Sequence, residues 1–205
     1  MFEYKGLQLN FHPLVYEPGE DTFLLAQHLA NIALPPGAEA LEIGTGTGLI
    51  ALLLAKKAKT VVGTDINPHA INTARLNAET NDVKNATFLY SNLFENVKGK
   101  YDIIVFNAPY LPTAKESFHD PNLKIASKAW DGGKTGREVL EKFLEEAPKH
   151  LKEKGKLVVC ESSLSKYSKT LEFLRSNKFS ADVVAYHKVD FEEIVVIEAA
   201  HKQES

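Results

Sequence analysis

From residue 39 onward, short apolar runs alternate with segments of helical spacing, and this alternation restricts the possible folds more than any other feature. "EALEIG" (39–44) reads as a strand, "LIALLLAKKA" (49–58) as a helix and "TVVGTD" (60–65) as a second strand. The helix over 68–81 carries Pro68 in its first turn, where a missing N–H costs nothing. "ATFLYS" (86–91) and "YDIIVFN" (101–107) are the third and fourth strands. Apolar residues at 139, 140, 143, 144, 147 and 151 mark a helix whose last turn Pro148 should bend. "GKLVVCES" (155–162) is the fifth strand, and a helix from about Ser165 to Asn177 follows it. "ADVVAYHKV" (181–189) and "FEEIVVIEA" (191–199) form a final antiparallel pair. Strands separated by helices pair in parallel through right-handed crossovers, which makes the chain α/β. Runs such as "DIIVF" need cover on both faces, as central parallel strands do.

A chain of 205 residues without internal repeats or a linker is expected to form one domain, residues 1–205. Residues 1–38 precede the alternation and are read as an N-terminal lid, with helical spacing in "GEDTFLLAQHLANIAL"; the core spans 39–198 and a frayed tail 199–205. The net charge of −3 argues against a chain whose main task is gripping nucleic acid. Cys160 is the only cysteine, so no intramolecular disulfide can form; its place in "KLVVCES" reads as a buried strand position. The seven His residues are scattered, and no metal site is expected. The longest apolar run, residues 49–55, is too short to cross a bilayer, and "MFEYKG" holds no signal-peptide core; a cytoplasmic protein is expected.

The first chemical signal is "LEIGTGTGLI". Gly44, Gly46 and Gly48 occupy a strand-to-helix turn, where backbone can approach a ligand unobstructed. A dinucleotide fingerprint would place its third glycine at position 49, which is Leu49. Asp65, 21 residues after Gly44, ends the second strand; it can accept both ribose hydroxyls of a nucleoside or cap the next helix. Asn92 and the backbone N–H of Leu93 follow the third strand, placed to read an adenine edge or to make a plain turn. Together these groups lie at the carboxyl ends of adjacent strands, where open α/β sheets bind ligands. The glycine spacing favours S-adenosylmethionine over a nicotinamide nucleotide.

Asn107 ends the fourth strand in "YDIIVFNAPYLP". Its side-chain oxygen and the Ala108 carbonyl, braced by Pro109, are two acceptors suited to one NH2 group. Held by both N–H bonds, that nitrogen would point its lone pair at an incoming methyl group. The same acceptors would stabilise charge developing on the N–H bonds. Tyr110 offers a ring face to a planar amide or a sulfonium.

The glycine turn, Asp65 and "NAPY" resemble a class I S-adenosylmethionine-dependent methyltransferase of the amino-group branch, whose motif is Asn-Pro-Pro-Tyr or a near variant. "VYEPGEDTFLL" (15–25) and "WDGGKTGREVLEKFLEEAPKHL" (130–151) narrow this to the HemK-like enzymes of the archaeal and eukaryotic type. These methylate the glutamine of a Gly-Gly-Gln loop in class 1 translation release factors, giving N5-methylglutamine. The resemblance implies a Rossmann-like fold with a seven-stranded, mostly parallel sheet in the order 3-2-1-4-5-7-6. It implies that Thr22 and Glu42 flank the methionine end of the cofactor, that Gly44 lies beneath it, and that Asp65 holds the ribose. Asn92 and Leu93 then address adenine, and Asn107 serves both cofactor and target amide. Tyr16 and Glu20 join Asn107, Tyr110 and Trp130 on the substrate side. Two positions depart from the pattern: Ala108 replaces a proline, and Asn92 replaces an aspartate.

Residues 111–136 lack periodicity and are expected to wall the substrate groove, with Trp130 as an anchor. Lys115, Lys124, Lys128 and Lys134 in this stretch could meet acidic surfaces of a release factor or ribosome, or be merely solvated. The resemblance also implies a small zinc-binding activator subunit that pairs with the exposed strand 86–91. Exocyclic amines of DNA or RNA present the same NH2 geometry, a lysine is a third acceptor, and a non-enzymatic cofactor-binding scaffold is a fourth reading.

Overall fold

The computed structural model describes residues 2–114, 120–189 and 191–202. A hairpin, β1 (Phe2–Tyr4) and β2 (Leu7–Leu9), opens the chain and leads to helix α1 (Glu20–Asn31). Then come β3 (Glu39–Ile43), α2 (Leu49–Ala55), β4 (Thr60–Asp65), α3 (Pro68–Thr80), β5 (Ala86–Tyr90) and β6 (Tyr101–Asn107). The second half holds α4 (Pro121–Ala126), α5 (Glu138–Glu146), β7 (Leu151–Ser162), α6 (Tyr167–Ser176), β8 (Phe179–Val189) and β9 (Glu192–His201).

The main sheet has seven strands in the order β5-β4-β3-β6-β7-β9-β8. Counted along this sheet alone, that is the expected 3-2-1-4-5-7-6. Pairing is parallel from β5 through β7, while β9 runs antiparallel to both β7 and β8. Alternate residues of each central strand feed two separate cores. Ile103 and Val105 of β6 join α1, α2 and α3 on one face; Ile104 and Phe106 join α5 and α6 on the other. Cover on both faces is why these strands read as unbroken apolar runs.

The boundaries differ from the sequence reading where local chemistry intervenes. Helix α2 stops at Ala55, three residues early, and Lys57 beyond it donates to the carbonyls of Leu29, Ala30 and Ile32 at the end of α1. Pro148 does more than bend its helix. Because it cannot donate a backbone bond, α5 ends at Glu146 and a 3-10 turn spans Ala147–His150. Leu151, assigned to that helix from its spacing, instead starts β7, which runs four residues longer at its N-terminal end than expected. Residues 199–201, expected to fray, pair within β9; residues 203–205 lie outside the described residues. The N-terminal stretch contributes Leu7, Leu9, Leu25 and Leu29 to the core beneath α2, so it packs as a layer of the fold rather than lying over it. Its hairpin went unanticipated. Residues 111–136 contain α4 and a further 3-10 turn, Ser127–Ala129. Among the described residues no helix is long and apolar enough to span a membrane, and no group of three or more His, Cys, Asp or Glu is placed to hold a metal.

Candidate functional site

A cavity of about 660 Å3 opens at the carboxyl ends of β3, β4 and β6, on the side where the chain order reverses between β3 and β6. Its floor is the turn after β3. Gly46 adopts a left-handed φ of +53°, and its N–H donates to Asp65 Oδ2 at 2.9 Å. Gly44 and Gly46 both line the cavity. Gly48 does not, contrary to its assignment as a cofactor contact. It packs against α3 so tightly that a Cβ would stand 2.9 Å from Cβ of Ala74, and its φ of +84° starts α2. Gly48 shapes the turn from behind.

Glu42, at the end of β3, lines the cavity and is buried. Its Oε2 accepts from Thr45 Oγ1 at 2.6 Å and from the N–H of Ala51 at 2.9 Å, supplying an acceptor to a helix whose N-cap is the side-chain-free Gly48. Burial pushes its carboxyl up to about 8, against the pull of these two bonds. Asp65 accepts from Gly46 and, through Oδ1, from the N–H of Asn67 at 2.8 Å. It does not cap α3; that role belongs to Asn67, whose Oδ1 accepts from the N–H of His69. Burial raises the Asp65 carboxyl as well.

Asn92 and Leu93 line the cavity wall after β5. The NH2 of Asn92 donates to Glu95 Oε1 at 2.7 Å, which leaves its oxygen as the free end. Leu93 takes a left-handed φ of +48°, held by Ser91 Oγ donating to the Leu93 carbonyl at 2.8 Å. Ser91 also lines the cavity and was missed; its signal was a small hydroxyl directly after an apolar strand.

The opposite wall is built around Asn107. Its Nδ2 donates to Asp21 Oδ2 at 3.1 Å and to Thr22 Oγ1 at 3.4 Å, while its buried Oδ1 has no hydrogen-bond partner among the described residues. Ala108, Pro109 and Tyr110 continue the same wall, together with Tyr16, Thr22 and Trp130. Burial and the Asp21 carboxylate raise both the Tyr16 and Tyr110 hydroxyls far above neutrality, so both remain protonated donors. Asp21 was overlooked beside Thr22. Only 6% exposed, it accepts from the chain's own Asn107 rather than from solvent. Glu20, chosen in its place for the substrate side, does not reach the cavity; it lies exposed, 3.9 Å from His187.

Residues 130–136 form a strap behind the Asn107–Tyr110 segment. The N–H of Leu111 donates to the Trp130 carbonyl at 2.9 Å, and that of Gly132 to the Leu111 carbonyl at 2.8 Å. Of the lysines singled out in this stretch, Lys128 lines the cavity; Lys124 and Lys134 do not, and Lys115 lies outside the described residues.

Residues 17–123 match the family model described as the methyltransferase small domain. A protein of Methanocaldococcus jannaschii, provisionally named a protein N5-glutamine methyltransferase, is 46% identical over 200 residues, covering 97% of this chain and 98% of that one. The mouse protein named Methyltransferase HEMK2 is 39% identical, covering 69% of this chain and 68% of its own. Among solved structures, the Mtq2–Trm112 complex of E. cuniculi, described as responsible for methylation of the eRF1 termination factor, superposes with a TM-score of 0.72. It is 25% identical and covers 92% of this chain and 99% of that one.

Proposed function

The chain belongs to the HemK-like family of class I methyltransferases, and from that premise we propose that it methylates the side-chain amide of a glutamine, using S-adenosylmethionine. The substrate we assign is the Gly-Gly-Gln loop of a class 1 translation release factor, which places the reaction in the cytoplasm. One observation carries the reading: Asn107, in the wall of a cavity of cofactor size, has its NH2 bound to Asp21 and leaves its buried Oδ1 without a partner among the described residues.

The residues present fit the cofactor. Gly44 and Gly46 offer close backbone approach, Asp65 an acceptor at a β-strand end, and Asn92 with Leu93 a polar edge for the base. Thr22 and Glu42 stand where the amino-acid end would lie; Gly48 drops out of the set. When bound, S-adenosylmethionine supplies an electrophilic methyl carbon on a sulfonium. Asn107 Oδ1 and the Ala108 carbonyl hold the two N–H bonds of the incoming amide, fixing the plane of a weak nucleophile. As the nitrogen gives up its lone pair its N–H bonds become more acidic, and the same acceptors gain strength. One proton then leaves to solvent. Tyr110 and Trp130 offer ring faces to the planar group, and Tyr16, whose hydroxyl donates to Asp21 Oδ1, stands beside them in the same wall.

A small zinc-binding subunit pairing with β5 completes the proposal. That strand is the sheet edge, with Tyr90 55% exposed, and unpaired edges invite a partner strand.

A transfer assay with methyl-labelled cofactor tests the function, offering recombinant release factor, the same factor with its loop Gln replaced by Ala, duplex DNA and tRNA. Label on the intact factor alone is the expected result. Label on the Ala-substituted factor or on nucleic acid would shift the acceptor to lysine or to a nucleobase amine, and no transfer to any of them with the partner subunit bound would reject the enzyme reading.

A further inference from the structure

An asparagine side chain has two ends of similar shape and opposite polarity, so something must choose which one faces the cavity. The donors around Asp21 answer this. Its Oδ1 accepts from the N–H of Thr22 at 2.6 Å, from Thr22 Oγ1 at 3.1 Å and from Tyr16 OH at 3.4 Å. Its Oδ2 is left for Asn107 Nδ2 at 3.1 Å. A carboxylate can only accept, so a buried Asp21 can meet nothing but the NH2 of Asn107. The Asn107 oxygen is thereby turned away from Asp21, and it is buried and unpaired among the described residues.

We propose that Asp21 is the positioning residue that sets the polarity of Asn107 and so selects a ligand that donates two N–H bonds. This rests on the amide reading above for its substrate consequence, but not for the orientation itself. Asp21→Asn is the informative change because it is isosteric and its own orientation is dictated. The Thr22 N–H must keep an acceptor, so the new NH2 takes the place of Oδ2 and confronts Asn107. Asn107 then flips, turning its oxygen toward position 21 and placing its NH2 where Oδ1 stood.

Two measurements on the full chain test this. In 15N–1H spectra the Asn107 side-chain NH2, assigned by its loss in Asn107→Ala, should be protected from solvent exchange in the native protein and lose protection in Asp21→Asn. Binding of a Gly-Gly-Gln peptide against its Gly-Gly-Glu analogue, read by calorimetry, should favour glutamine by about tenfold or more in the native protein. That preference should reverse in Asp21→Asn. Asp21→Ala removes the anchor without supplying a competing amine, and should erase the preference without reversing it. Unchanged NH2 protection in both variants would overturn the inference. A native protein that binds neither peptide, but whose Asn107 protection still collapses in Asp21→Asn, would reject the glutamine reading and leave the orientation standing.

Discussion

Gly132 lies against Pro109 with no room for a side chain: a Cβ there would stand 2.5 Å from the Pro109 carbonyl oxygen and equally close to that of Gly136. Both obstacles are backbone, so neither can swing aside. Gly132→Ala must push the strap away from the Asn107–Tyr110 segment, and displacement by about 1 Å is costly at a site that works by orientation. Turnover should fall about 10²-fold with cofactor affinity little changed, since Asp65 and Asn92 follow β4 and β5, separated by β3 from the strand end that carries Asn107. Stability should drop by roughly 1–3 kcal/mol from the forced repacking. Rates at saturating cofactor, together with urea unfolding, check both.

Asn107→Ala removes the unpartnered acceptor and leaves the Asp21 carboxylate without its Asn107 donor. A loss of roughly 10²–10³ in turnover is expected, by analogy with removing one charge-stabilising contact. Cofactor binding, measured separately by calorimetry, should weaken far less. An unchanged rate would reject the acceptor geometry.

The sheet was legible because its strands are covered on both faces, and Ile103 to Phe106 could not be soluble otherwise. The cavity was legible in outline because glycines and polar residues at strand ends are what a ligand crevice needs. What escaped were choices between neighbours. Glu20 and Asp21 stand side by side at a helix start, and only the helix rotation decides which faces inward. Gly48 and Gly44 look alike in a glycine-rich turn, yet one meets Ala74 and the other the cavity. The strap could have been suspected from the paired glycines of "DGGKTG", which mark close backbone approach. Nothing local said that the backbone approached would be that of Pro109.

Glu42 gives the protein a pH dependence. Its carboxyl is pushed from 4.5 up to about 8 in the folded chain, so the native state binds this proton more tightly than the unfolded one. The contribution is therefore complete below about pH 4.5 and is lost as pH rises toward 8, on the order of 5 kcal/mol at full extent. Glu42→Gln keeps an oxygen for Ala51 and cannot ionise. The urea midpoint of the native protein should fall between pH 5 and 8, that of the variant should stay flatter, and above pH 8 the variant should be the more stable. Parallel curves would remove Glu42 as the cause.

Arg137 follows the strap directly and ties its end to the β7–α6 corner. Arg137 is 4% exposed, and its guanidinium donates to the Ser165 carbonyl, to the Lys166 carbonyl at 3.2 Å, to Thr170 Oγ1 at 3.1 Å, to Glu141 Oε1 at 3.1 Å and to Glu161 Oε2 at 3.4 Å. Glu161 is fully buried; burial raises its carboxyl against the pull of Thr170, Ser165 and Arg137, and its Oε1 has no partner among the described residues. Removing the cation alone strands that carboxyl, so Arg137→Ala should cost about 3–5 kcal/mol. Glu161→Gln in the same chain removes the stranded acid, and the double variant should be less destabilised than the two single changes added together, by about 0.5–3 kcal/mol. A double-mutant cycle in urea measures that coupling directly. Strict additivity would mean that Arg137 holds the strap through its other partners, the Ser165 and Lys166 carbonyls, Thr170 and Glu141, and that its pairing with Glu161 contributes nothing.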